Sequence, residues 1–291
     1  MSAIPTYEQS VEASHIDEVY DSAVLEHPEF AGMDPMELRT FIGRSLGQIA
    51  MFEAAARQPL EVTPEDADRI AIVKIHSSTG SYDEAFKQED NPRLRSDKPW
   101  LAWFDRQRVL QGIRLVRKVA EVRSGYTVTL PSNYTEADVM QARAETKEQI
   151  AAYGPAIMYS GYPVETQKAE EVLRRPGGVI PEEKALIIHG NPHNTVEGAQ
   201  LLVDAFEKYD HLLEGRRQIA IVTHAPHLER VLHIMDKYPY LPAGSNVPFV
   251  SPVATPEAGV HDFATMEARG LLYYAWLADT ASKEQHQFQT L

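Results

Sequence analysis

Four short apolar runs constrain this chain more than any other feature: Ile70–Ile75 (IAIVKI), Ala156–Tyr159 (AIMY), Ala185–Ile188 (ALII) and Ile219–Val222 (IAIV). Each is too short for a helix and nearly continuous in apolar character, which is how a strand covered on both faces reads. Phe249–Val250 reads as a fifth. Between them lie amphipathic helical stretches at Asp105–Val122, Glu136–Tyr153, Val164–Arg174, Thr195–Tyr209 and His227–Lys237. Strands alternating with helices predict an α/β fold, a parallel sheet flanked by helices. Tyr126–Leu130 (YTVTL) alternates and reads as an edge strand or a short excursion.

The N-terminal part is different. Residues 1–65 contain no convincing strand, but Val19–Leu25 and Met36–Ala56 carry apolar residues at helical spacing. Asp34-Pro35 is a start signal and Pro59 a stop. The expected division is a helical cap or arm over 1–65 and an α/β domain over 66–291 that ends on a packed helix, Asp262–Asp279. Residues 77–104 form a long connection of the kind that often serves as a lid or binding loop. The tail from Thr280 is polar and expected to fray.

Composition narrows the partners. Lys plus Arg is 28 against 42 Asp plus Glu, a net charge of −14. A body this acidic repels phosphate backbones and anionic lipid, so neither nucleic acid nor membrane is expected as a partner. The basic residues Arg106, Arg108, Arg114, Arg117 and Lys118 read as the wet side of one helix. There is no cysteine, which removes disulfides, thiolate nucleophiles and Cys-ligated metals and fits a reducing compartment. No apolar stretch approaches the ~20 residues of a membrane span, and the first residues lack a secretory pattern. The expected location is the cytoplasm.

In open α/β sheets, ligands bind beyond the carboxyl ends of the strands. The residues just after each apolar run are therefore informative. The first run exits into His76 and Gly80, the second into Ser160-Gly161 with Glu165 close behind. The third leads to His189, His193 and Asn194-Thr195-Val196-Glu197, and the fourth to Thr223-His224, His227 and Arg230. Asn194 followed by Glu197 is also a helix-capping pattern, compatible with anion binding at the same amides. Arg230, near a helix start, opposes the macrodipole unless an anion or an acid such as Glu197 sits beside it. His189, His193, His224 and His227 allow a second reading, a metal-dependent hydrolase with Asp83 or Asp262, although no HExxH or other compact ligand spacing is present. A phosphate-binding GxxxxGK[ST] loop, a GxSxG elbow and a GxGxxG fingerprint are all missing. A third reading is a non-catalytic protein docking a partner through Phe41, Phe52 and the neighbouring leucines. Packing of that face within the chain is the commoner fate of such helices.

The segments GVIPEEKALIIHGNPHNTVEGAQLLVDAF and IAIVTHAPHLERVLHIM resemble the YdcF/SanA/ElyC family. Ser160-Gly161 matches that family's strand-ending Ser-Gly-Gly, with Tyr162 at the second glycine and Glu165 where an acid often follows. Gly178-Val179-Ile180-Pro181 matches the approach to the third strand. Asn194-Thr195-Val196-Glu197 matches the helix start, with Gly198 for the final Asn and His189 where an acid is usual. Thr223, His227 and Arg230 match the last motif, with His224 for Ser and Pro226 for the aromatic residue. The resemblance covers roughly residues 68–255. It implies a Rossmann-like fold with a polar pocket at the strand ends and, on the chain's lack of an apolar span, the family's soluble branch. Family members have been linked to S-adenosylmethionine or nucleotide binding, and membrane-anchored relatives to envelope biogenesis.

The preferred expectation is a small-molecule-binding α/β protein, in which an enzymatic activity is left open. It holds a nucleotide-like or anionic ligand, S-adenosylmethionine or a phosphate-containing molecule, at the strand ends. Arg230 would pair the anion, as a guanidinium fork suits phosphate and carboxylate. Ser160, Gly161, Asn194, Thr195, Thr223 and His76 would orient it. His227 or His189 is the candidate general acid/base, because imidazole titrates near neutrality, with Glu165 or Glu197 orienting the ring.

Overall fold

The computed structural model describes residues 12–76, 103–161, 163–189, 208, 209, 211, 213, 215, 216, 218–237, 248–255 and 260–276, with the side chains of 103–105, 163–165, 236 and 237 outside that description. The helix expected from Thr195 therefore lies almost wholly outside the described residues. So do residues 77–102 of the expected 77–104 connection, and the polar tail.

Among the described residues the strands are β1 (Ile70–His76), β2 (Ala156–Ser160), β3 (Ala185–Ile187), β4 (Gln218–His224) and β5 (Phe249–Val253). The helices are α1 (Ala13–Glu26), α2 (Pro35–Ala56), α3 (Pro64–Arg69), α4 (Trp103–Ser124), α5 (Glu136–Tyr153), α6 (Pro163–Leu173), α7 (Ala225–Lys237) and α8 (Val260–Trp276). Tyr126–Leu130 is the short excursion, without ladder pairing.

The five strands form one parallel sheet in the order β3-β2-β1-β4-β5, the Rossmann-like arrangement. Its register places Lys74 opposite Met158 and His76 opposite Ser160, and on the other side Lys74 opposite Ile221 and Ile75 opposite Val222. Thr223 is therefore next along β4, beside His76. Alternation then sorts the side chains. Val73, Ile75, Ile157, Tyr159, Ala220 and Val222 share a face and join Val109, Leu115, Val116 and Val119 of α4 in one core. Each fully buried aliphatic side chain contributes about 1.5–3 kcal/mol. The approach of α4 is close at Gly112, where a Cβ would stand 2.7 Å from Ile75 Cδ1 and 3.2 Å from Ile157 Cδ1. Capping boxes start α3 at Thr63/Asp66 and α5 at Thr135/Asp138.

The chain divides into two compact units. The sheet unit runs from Pro59 to Thr223 and takes in β5. The helical unit contains α1, α2, α7 and α8. The sequence boundary near residue 65 thus falls a few residues past the break at Gln58, and the C-terminal helix groups with the N-terminal ones. Within the helical unit, Val19, Phe30, Leu38, Ile42, Leu46 and Ile49 pack with Ala264, Ala268 and Leu272. Phe41 meets the edge of Trp276 at 4.6 Å between ring centroids. The apolar face of α2 is thereby covered inside its own unit. Asp34 caps α2 by accepting from the Met36 amide at 2.8 Å, with Pro35 at the first helical position.

Candidate functional site

The site lies in the sheet unit, on the face opposite α4. Strand alternation puts Lys74 and His76 of β1, Ser160 of β2 and Thr223 of β4 on that face, at the carboxyl ends of adjacent strands. The strand order reverses between β1 and β4, which is where ligands bind in open parallel sheets. All four side chains are buried. A patch of polar groups in the middle of an otherwise apolar sheet is costly to bury and therefore informative.

Lys74 is a fully buried amine at the centre of this patch. The Lys74 Nζ donates a hydrogen bond to Ser160 Oγ. Burial drives its amine down from an ordinary 10.5 to about 7, so near neutrality a large share of it is neutral and able to accept a proton. Burial also holds His76 well below its ordinary value, reinforced by the positive charges of Lys74 and of Arg108. His76 is thus a neutral imidazole around pH 7. Its Nε2 has no hydrogen-bond partner among the described residues, and neither has Thr223 Oγ1. Among the described residues no carboxylate acts on Lys74 or His76. The local balance is cationic and donor-rich inside an acidic protein.

Arg108 belongs to this surrounding. The charge pattern predicts the wet side of α4 for it, but it is 1% exposed. The helix sends Val109 into the core, and the adjacent position near the strand ends goes inward with it. Ser251 of β5 receives a hydrogen bond from Gln111 Nε2 at 3.0 Å. After β2, Gly161 is fixed by Thr166, whose hydroxyl accepts from the Gly161 amide at 3.2 Å and donates to the Gly161 carbonyl at 2.9 Å.

The residues singled out from sequence distribute unevenly. His76, Ser160, Gly161 and Thr223 come together at the strand ends. His189 lies at the exit of β3, but its ring is exposed and stands 3.4 Å from Glu170. Glu165 is on α6, with its side chain outside the described residues, where His193, Asn194, Thr195 and Glu197 also lie. His227 and Arg230 meet in the helical unit around Glu267 of α8. Arg230 Nε stands 2.9 Å from one Glu267 oxygen, and His227 Nδ1 stands 3.1 Å from the other. Burial lowers Arg230 to about 10 and raises Glu267 well above the usual carboxylate range. The acid that answers Arg230 near its helix start is therefore Glu267.

Sequence reasoning misses Lys74 and Arg108. Lys74 has a legible signal: one lysine at a same-face position inside IAIVKI, where both faces read as covered. Arg108 has none, because five basic residues on one helix look alike without the partner surface. Among the described residues no group of three His, Cys, Asp or Glu side chains is placed to hold a metal ion, and no helix is long and apolar enough to cross a membrane. No protein-family model, curated protein or solved structure matches the chain.

Proposed function

We propose that this is a small-molecule-binding α/β protein that takes a nucleotide-like or anionic ligand at the carboxyl ends of β1, β2 and β4. Phosphate-containing molecules and S-adenosylmethionine are the ligand classes. One observation carries the reading: among the described residues His76 Nε2 and Thr223 Oγ1 are buried without partners, and no carboxylate acts on Lys74 beside them. Buried polar atoms left unpaired cost about 1–3 kcal/mol each, which a ligand supplying the missing partner recovers. A bound anion would hold Lys74 in its charged form and gain from Arg108 nearby. The likeness of Ser160-Gly161 and of Thr223 to YdcF-like motifs supports the same location. The cytoplasm, suggested by the cysteine-free acidic composition, is part of this proposal.

The test is thermal denaturation of the full chain with inorganic phosphate, a nucleoside monophosphate, a sugar phosphate and S-adenosylmethionine. At least one is expected to stabilise the protein, by about 2.7 kcal/mol when present at about 100 times its Kd. Lys74→Met is expected to weaken that ligand at least tenfold. The proposal fails if none of the four shifts the transition, or if Lys74→Met binds as well as the wild type.

A further inference from the structure

We infer that Ser160 is a nucleophile and Lys74 its general base, and that the protein transfers the acyl group of a carboxylic ester that carries an anionic substituent. The inference rests on the ligand site proposed above and adds a reaction class to it. Serine hydroxyls are weak nucleophiles unless a neighbouring base takes the proton. Here the neighbour is the amine that meets Ser160 Oγ directly. Lys74 is fully buried and its proton affinity is brought near neutrality by that burial. A lysine kept for structure alone would be expected to find a carboxylate or to extend its head to water. Serine–lysine pairs of this kind are a known variant of the serine–base arrangement on unrelated folds.

The surroundings supply the rest of an acyl-transfer site. His76 stands opposite Ser160 in the ladder, and as a neutral imidazole it can present an N–H from Nε2. The Thr223 hydroxyl, on the far side of His76, is a second donor on the same face that has no partner among the described residues. A neutral donor in the strand next to Ser160, as His76 is, suits the oxygen on which charge develops when a carbonyl becomes tetrahedral. Arg108 lends positive charge to the same region.

The steps balance with water as the only co-reactant. Ser160 Oγ bonds to the carbonyl carbon while Lys74 Nζ takes the hydroxyl proton. The bond from that carbon to the alcohol oxygen breaks, and the ammonium returns its proton to the departing oxygen. Water then attacks the acyl-Ser160 carbon and gives a proton to Nζ. The Oγ–carbon bond breaks and Ser160 recovers that proton. One ester and one water give one carboxylic acid and one alcohol.

The test uses a fluorophosphonate probe, which bonds to an activated serine with loss of fluoride, on the full-length protein, read by intact mass and peptide mapping. One label on Ser160 is expected, with a rate that rises through about pH 7 and then levels as Lys74 loses its proton. Lys74→Met, which keeps the chain length without the amine, is expected to label about 100-fold or more slowly, the scale of a lost general base. Lys74→Arg, permanently charged, is expected to lose as much. An unlabelled Ser160 in protein with native circular dichroism overturns the inference. So does a covalent mass on Lys74 instead, or Lys74→Met labelling at the wild-type rate. Thermal shifts of the unlabelled wild-type protein with phosphate separate this from the ligand proposal. Stabilisation without labelling sinks only the nucleophile; labelling without stabilisation by any anion sinks only the anionic ligand.

Discussion

Replacing Lys74 by Met should stabilise the protein, and by an amount that depends on pH in a fixed direction. The amine sits at about 7 in the fold and near 10.5 once unfolded. Each tenfold step in proton affinity is worth ~1.36 kcal/mol, so the fold gives up about 5 kcal/mol when the amine is charged in both states. Above the unfolded value Lys74 is neutral in both states and the cost vanishes. Between the two values the unfolded chain binds a proton that the folded one does not, so stability rises with pH there. Below about 7 the cost is complete. Met removes the charge and fills a similar apolar volume, but gives up the Ser160 hydrogen bond, about 1 kcal/mol. The variant should therefore exceed the wild type by about 4 kcal/mol near pH 6, a difference that falls to about zero near pH 10. Paired urea denaturations across that range measure it, since every other titrating group is common to both proteins. A difference that stays flat, or a variant less stable near pH 6, would refute the burial argument for Lys74.

Two further outcomes follow from the packing. Gly112→Ala should cost about 1–3 kcal/mol by overpacking, because a Cβ there meets Ile75 and Ile157 inside van der Waals distance; a neutral result in thermal denaturation would mean that α4 does not lie so close to β1. Arg230→Ala should cost about 3 kcal/mol by leaving Glu267 buried with His227 but without its arginine partner. The phosphate response should be unchanged, and an Arg230→Met/Glu267→Leu double variant should recover most of the loss. Loss of phosphate stabilisation in Arg230→Ala at full thermal stability would contradict the pairing.

The sheet was legible because its physics is periodic. Runs such as IAIVKI and IAIV are nearly continuous in apolar character only when both faces are covered, and that pattern alone ordered strands and helices. Convergence of His76, Ser160 and Thr223 followed from parallel strands ending at one edge. Partnership across distant segments was not legible. Glu267 lies 37 positions after Arg230, and nothing local marks it as the acid that answers that arginine. The grouping of α1 and α2 with α8 is equally a product of shape, since each shows only an apolar stripe in search of a neighbour. Lys74 is legible yet easily overlooked: its signal is a single charge at the wrong place in a buried pattern, weaker to the eye than a row of histidines.

The central claim is tested most directly by following the Lys74 side-chain resonance of 13C-lysine-labelled protein against pH, with and without sulfate as an anion of fixed charge. The account predicts a midpoint near 7 that moves upward when sulfate binds beside the ammonium. A Lys74 that titrates near its ordinary 10.5, unmoved by sulfate, would contradict it.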